Sequence, residues 1–224
     1  MQILTELSSR FISYCKTVRS VVTRDLQNRK IIYLNRPAGK TYVVTKGYVR
    51  LVYARPDGTT PTRMLLGKGA MFGDLPFRPV SFLSNEQATA SGPTCLLEIE
   101  RLELEKHVLA TPDFQTLMLQ TVSAQLQFLE RRLRWQLVSP LRSRITTALV
   151  DLICFTGGRC GHGHLIDVRL THEEFADLVV AARPVVTKIL GELKADGIID
   201  YTRSHLCLLD LDRLQSISET DEVG

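Results

Sequence analysis

Apolar positions change their rhythm along this chain. From about residue 30 to 100 they come in short runs: KIIYL, KTYVVTKGYVRLVYARPDGTTPTRMLLGKGAMFGDL and TCLLEIE. Gly39, Gly47, Asp57-Gly58, Gly67, Gly69 and Gly73 punctuate these runs. Such runs, cut by glycine turns, predict short strands in an antiparallel roll or jelly-roll barrel. Asp57-Gly58, flanked by Leu51-Val52-Tyr53 and Met64-Leu65-Leu66, reads as a hairpin loop. Helical patches at 3–19 and 101–109 flank the roll.

The period then changes to that of a helix. Thr111-Pro112-Asp113 is a start signal, with a hydroxyl for the N-cap, a proline where no donor is needed, and an acid near the positive dipole end. From there to Val138 no glycine or proline intervenes. Phe114, Met118, Val122, Leu126, Leu129, Leu133 and Leu137 recur at intervals of three and four. A helix of roughly 26 residues is about 40 Å long. Its stripe must be covered by the roll, by a second copy of the chain, or by both.

Pro140 ends that helix and Leu141 to Phe155 predict another. TGGRCGHGH reads as a glycine-rich loop and LIDVRL as a strand. LTHEEFADLV opens with a capping box, Thr171 to the backbone near Glu174 and Glu174 back again. Two helices, 172–179 and about 183–195, are joined by only a few residues, the spacing of a helix-turn-helix. Val186, Ile189, Leu190 and Leu193 share one face of the second, to be buried against Phe175 and Leu178. Pro184, Thr187, Lys188 and Gly191 point the other way, with Arg183 at the leading edge. Gly197 is a C-cap, IIDY and LCLLDL form a strand pair, and Arg203-Ser204-His205 is the tip of a wing.

That outward face is small and basic, so it fits a DNA major groove. Arg183 suits a bidentate contact to guanine; Lys188 suits a base or phosphate and Thr187 a phosphate. Pro184 fits the first turn without losing a helical hydrogen bond. The plainer alternative is a helical hairpin with a solvated basic side.

Composition adds limits. The chain has 224 residues, 44% apolar, with a formal charge of +4, compatible with a nucleic-acid partner without demanding one. The first residues lack the basic and apolar regions of a secretory signal, and no apolar run reaches about 18 residues, the length of a membrane span. Five scattered cysteines fit a reduced cytoplasm better than a disulfide framework. Cys154, Cys160, His162 and His164 gather near one loop, but their spacing matches no standard zinc site. GKGAMFG lacks the Lys-Ser/Thr ending of a phosphate loop, and Glu173-Glu174 is explained by capping. Neither an enzyme nor a resident cofactor is expected. Arg131, Arg132 and Arg134 beside Trp135 read as a solvated or dimer-flanking face, with contact to RNA polymerase or DNA as a further option.

With VTKGYVRLV, GAMFGDL followed by ATA, the long helix, and LTHEEFADLVVAARPVVTKILGELKADGII in view, the chain resembles the Crp/Fnr transcription regulators over nearly its whole length. SPLRSRI and IDVRLTHEEFADLV are similar to the cyanobacterial global nitrogen regulators. The resemblance implies an α+β chain. Its parts would be a β-roll sensor domain like those that bind cyclic nucleotides (1–110), a dimerisation helix (111–139) and a winged helix-turn-helix (140–224). It also implies a homodimer on a palindromic duplex operator, with Thr171, Arg183, Pro184, Val185, Thr187, Lys188 and Arg203 at the DNA.

Two departures are visible there. Pro184 and Val185 replace more polar residues, and Val180 stands where the turn often has glycine. By the same resemblance the effector pocket involves Phe72, Gly73, Asp74, Leu75, Arg78, Ser84, Asn85, Gln125, Leu129 and Glu130. Ser84 and Asn85 stand where cyclic-nucleotide members carry an arginine-serine pair, and the nitrogen regulators also use an arginine there. Leu129-Glu130 replaces the base-reading threonine-serine pair, and Gln125 an arginine of the nitrogen regulators. A neutral serine cannot give charge-assisted bonds to an anion. The usual cyclic AMP or 2-oxoglutarate binding is therefore not expected, and the effector is unassigned. Arg78 is a substitute anchor or a solvated loop residue. The alternative function is a sensor or adaptor whose winged domain binds a protein.

Overall fold

A computed structural model of the chain describes residues 2–35, 38–53, 55, 61–78, 85–156, 158–161, 163–166, 168–201 and 206–220. The chain divides into two compact units, Met1–Phe128 and Leu129–Gly224.

In the first unit, helix α1 (Gln2–Cys15) precedes eight strands: β1 (Val22–Leu26), β2 (Ile31–Asn35), β3 (Lys40–Lys46), β4 (Val49–Tyr53), β5 (Thr62–Leu66), β6 (Met71–Gly73), β7 (Glu86–Ala90) and β8 (Thr94–Glu100). They form two antiparallel four-stranded sheets, ordered β1-β8-β3-β6 and β2-β7-β4-β5. This is the expected roll. β4 pairs with β5 across Leu51 and Met64, while the Asp57-Gly58 loop lies outside the described residues. Successive side chains of a strand point to opposite faces, and here both faces are used. Tyr42, Val44, Leu96 and Phe72 join one apolar cluster, with Ile32, Val49 and Leu51 from the other sheet. Val43, Leu97, Ile99 and Met71 join a second cluster with Phe11 and Cys15 of α1. Leu104 and Val108 of α2 (Arg101–Ala110) and Phe114, Leu117 and Met118 of α3 (Pro112–Val138) complete it. Each large side chain buried this way contributes about 1.5–3 kcal/mol.

Helix α3 has 27 residues, as the pattern predicts, but its stripe is not treated uniformly. Phe114 and Met118 are buried, whereas Val122, Leu126, Leu129, Leu133 and Leu137 are 39–74% exposed in the single chain.

In the second unit α4 (Leu141–Thr156) is followed by β9 (Gly158–Cys160), β10 (Gly163–Ile166), α5 (His172–Val179), α6 (Arg183–Ala195), β11 (Ile199–Tyr201), β12 (Leu206–Leu208) and α7 (Leu211–Thr220). The strands make one antiparallel sheet ordered β11-β12-β10-β9. Three details depart from the sequence reading. The glycine-rich segment is partly a hairpin, because β12 runs so close that a Cβ on Gly163 would meet the Leu208 carbonyl at 2.1 Å. The strand read in LIDVRL is described as Gly163–Ile166, with His164, Leu165 and Ile166 opposite Leu208, Cys207 and Leu206 of β12. Helix α7 was not foreseen; Asp210 accepts from the Arg213 amide at its start, and Leu214 is buried.

Candidate nucleic-acid interface

Local sequence rules account for the helix pair. The Thr171 hydroxyl accepts from the Glu174 amide at 3.1 Å, and the Glu174 carboxylate accepts from the Thr171 amide at 2.8 Å, which starts α5. α5 ends in a left-handed residue, Val180 at φ 53°, with the Ala181 amide donating to the Ala176 carbonyl at 3.0 Å. That closure turns the chain sharply but puts a β-branched residue where glycine fits best. α6 starts with Pro184 in its first turn. It ends in a glycine-based cap: Gly197 has φ +68°, and the Gly197 and Ile198 amides donate to the Lys194 and Leu193 carbonyls at 3.0 Å each.

The buried face of α6 is Val186, Leu190 and Leu193, set with Phe175 and Val179 of α5 in the unit's interior. Ile189 and Leu178, expected there, are half-buried. On the opposite side Arg183, Pro184, Val185, Thr187 and Lys188 are exposed, as is Thr171 at the start of α5. Lys188 Nζ lies 4.0 Å from Glu192, with its side chain 77% exposed. An ion pair in that setting is worth at most about 1 kcal/mol and does not fix the ammonium. Arg203, with Ser204 and His205, lies outside the described residues.

Arginines missed as structural parts by the sequence reading hold this pair from behind. Arg132 of α3 donates to the Leu178 carbonyl at 2.9 Å, and Arg144 of α4 donates to the Val179 and Val180 carbonyls at 3.2 and 3.3 Å. Both put cations on the negative end of α5. Arg142 bridges to Glu192 at 2.7 Å. Arg131 lies over the Trp135 ring at 4.9 Å and bridges Asp151 at 2.7 Å. Arg131 and Arg132 thus tie elements of this unit together, although Arg131, like Arg134, is exposed. Burial pushes the Asp151 carboxyl up to about 6, against the opposing pull of Arg131 and Arg132.

A family model for the Crp-like helix-turn-helix domain matches residues 143–217, spanning this whole arrangement. The global nitrogen regulator of Nostoc sp. is 27% identical over 186 residues, covering 80% of this chain and 81% of that protein. A CRP/FNR-family transcriptional regulator from Thermus thermophilus superposes with a TM-score of 0.70 at 24% identity, covering 89% of this chain and all of that one. FixK2 from Bradyrhizobium japonicum superposes at 0.72 and 18% identity, covering 88% and 96%. Residues 143–217 thus match a Crp-like helix-turn-helix domain, and over most of its length the chain is similar to transcription regulators of the Crp/Fnr type.

In the roll the residues marked for an effector pocket have several structural tasks. Phe72 lies inside the sandwich, its ring stacked 5.2 Å from Tyr42 and 6.3 Å from Tyr33. Gly73 is buried with φ +88°. The Asp74 carboxylate accepts from the Gly39 amide at 2.8 Å, and its carbonyl accepts from the Thr41 hydroxyl. Leu75 packs on the helix-side core and Arg78 is half-buried. The Gln125 amide donates to the Met71 carbonyl at 3.0 Å and accepts from the Met71 amide at 3.1 Å, taking the place of a strand beyond β6. Asn85 is exposed in the left-handed region that asparagine tolerates. Leu129 and Glu130 belong to the second unit and are exposed, and Ser84 lies outside the described residues.

Sequence reasoning missed a buried polar group in the same roll. Glu86 is 1% exposed; it accepts from the Tyr33 hydroxyl at 2.5 Å and faces Arg63 at 2.6 Å. The alternation Glu86, Ala88, Ala90 was the available signal, since two apolar residues on an inward face carry a charge with them. Burial, then Glu86 itself, raises the Tyr33 phenol well above its ordinary range.

Among the described residues no group of three or more His, Cys, Asp or Glu side chains could hold a metal ion. The side chains of Cys154 and Cys160 and all of His162 lie outside what is described, and His164 sits opposite Leu208 in the sheet. Among the described residues no helix is long and apolar enough to cross a membrane.

Proposed function

We propose that this regulator works as a cytoplasmic homodimer that binds a palindromic duplex operator through α6. The observation that carries the reading is the division of α6: Arg183, Thr187 and Lys188 exposed above a face buried through Val186, Leu190 and Leu193. An exposed edge of that size can enter a major groove, where Arg183 pairs with guanine and Thr187, Lys188 and Thr171 meet phosphates or base edges. Pro184 and Val185 (43% exposed) offer apolar contact suited to a thymine methyl. Arg203 would reach the backbone from the wing. Residues 140–224 form the DNA-binding part, 111–139 the dimer helix and 1–110 the sensor-like roll.

The dimer reading is supported by the exposed part of the α3 stripe. Val122, Leu126, Leu129, Leu133 and Leu137 recur near the 3.5-residue period of a two-stranded coiled coil. A second copy of the same helix would remove that apolar row from water.

For the roll, the proposal is that neither cyclic AMP nor 2-oxoglutarate binds in the usual way. Ser84-Asn85 carries no cation for an anionic ligand, and Gln125 already serves the Met71 backbone. Activity would then depend on another effector, on a partner such as RNA polymerase, or on neither. Micromolar binding of either metabolite in calorimetry would overturn this part.

Selection of bound sequences from random duplex DNA tests the main reading. The expected product is an inverted repeat with half-sites about 34–36 Å apart, one helical turn. Failure to enrich any sequence would overturn it and favour a protein partner for the winged domain.

A further inference from the structure

We infer that His172 is a positioning residue for DNA contact, setting which way the Thr187 hydroxyl can hydrogen-bond; this rests on the DNA-binding reading above. His172 is the first residue of α5, and its Nδ1 lies 3.1 Å from Thr187 Oγ1 on the outward side of α6. Its ring meets Tyr201 of β11 edge-on at 5.6 Å and 74°. Tyr201 is in turn covered by the Lys194 ammonium at 4.8 Å from its centroid. One half-buried imidazole therefore joins the start of α5, the outward face of α6 and the strand that leads to the wing.

The chemistry follows from counting hydrogens. A threonine hydroxyl has one hydrogen to give and two lone pairs to accept with. When Nδ1 accepts from Thr187, that single hydrogen is used, and Thr187 faces DNA only as an acceptor. When Nδ1 carries the proton and donates, the Thr187 hydrogen is free for a phosphate oxygen or for guanine O6 or N7. An imidazolium donates from both nitrogens, so protonation enforces the second state and adds a positive charge at the same edge. Phosphate is an acceptor only, so DNA selects the state in which His172 donates. Operator affinity should accordingly rise as pH falls.

Among the described residues, the titratable and charged groups on the elements that carry or contact His172 are Glu173, Glu174 and Asp177 on α5, Arg183, Lys188, Glu192 and Lys194 on α6, and Asp200 and Tyr201 on β11. All of them remain in a His172→Gln variant, which keeps an amide donor and acceptor but has no proton to gain. Their own pH response is therefore common to both proteins and cancels in the comparison.

The test is operator binding by fluorescence anisotropy at constant ionic strength, between about pH 8 and about pH 6, for the full chain. The proteins compared are wild type, His172→Gln, Thr187→Val and the double variant. Wild type should gain roughly three- to tenfold in affinity over that range, the scale of one hydrogen bond. His172→Gln should lack that gain and keep only the response common to all the proteins, Thr187→Val should keep a smaller gain from the added charge, and the double variant should match His172→Gln. The same gain in His172→Gln as in wild type would overturn the inference while leaving salt-dependent, Arg183-dependent DNA binding intact. Absence of any DNA binding by wild type would overturn both together. Thr187 is exposed, so the valine variant keeps the test decisive if the glutamine variant fails to fold.

Discussion

In the roll, Asp74, Glu86 and Gln125 each meet a partner within their own unit, whereas along α6 Arg183, Pro184 and Lys188 stand exposed over a buried apolar face. Both regions carry the residue types that bind ligands. They differ in what the fold leaves for a ligand to use. A carboxylate that already accepts from a tyrosine and faces an arginine stabilises the roll. A guanidinium at an open helix edge does little for its own unit and is available to a partner. Identity of side chains marks both regions as candidates, and local satisfaction separates them.

Breaking that contrast from the roll side should have the largest effect. Glu86→Ala leaves the Arg63 charge and the Tyr33 hydroxyl without their acceptor, at a cost of about 3–5 kcal/mol in urea unfolding. Arg183→Ala should leave the unfolding midpoint within about 0.5 kcal/mol of wild type, as an exposed substitution does. Equal midpoints for both variants would mean that the buried group does not hold the roll.

Asp151 gives the next effect, and its sign is set by proton binding. The folded chain keeps the Asp151 proton up to about 6, whereas an ordinary aspartate releases it near 3.8. The folded form thus holds more protons in that window, and this contribution to stability is present below it and lost as pH rises through it. Asp151→Asn removes the dependence. By neutral pH the variant should be more stable than wild type by roughly 2–3 kcal/mol, with no difference in strong acid. A constant difference across pH would show that Asp151 titrates as an ordinary carboxylate.

Gln125→Ala should cost about 1–2 kcal/mol and speed hydrogen exchange at the Met71 amide, because both backbone groups of an edge residue lose their partner. The smallest effect is a gain. Val180→Gly relieves a left-handed valine and should add about 1 kcal/mol, less the entropy that glycine loses on folding. Loss of stability there would show that the exposed valine side chain is held by something its backbone strain conceals.

Much of this was legible in the chain because the relevant signals are local. The capping box at Thr171 and Glu174, Pro184 in a first turn and Gly197 after a last one each act within a few residues, and they set α5 and α6 at their predicted bounds. The α3 helix was equally plain. How far its stripe is buried was not, since Met118 and Val122 look alike in sequence, yet Met118 joins the helix-side core and Val122 is exposed. The arginines at 131, 132 and 144 were unreadable for the same reason. Their partners, Asp151 and the carbonyls at 178–180, lie on other elements, and no spacing rule announces them. The hairpin in the glycine-rich segment depended on a strand more than forty residues away. No local signal marks His172, because its contact with Thr187 exists only once α5 and α6 have packed.

The most direct test of the account is a salt titration of operator binding with wild type, Arg183→Ala and Lys188→Ala. The account predicts that wild-type affinity falls steeply and linearly on a log–log scale. Arg183→Ala should cost about 1–3 kcal/mol with relaxed base preference, and Lys188→Ala should lower the slope by about one if it grips a phosphate. Binding that is absent, indifferent to salt, or unchanged in Arg183→Ala would contradict it.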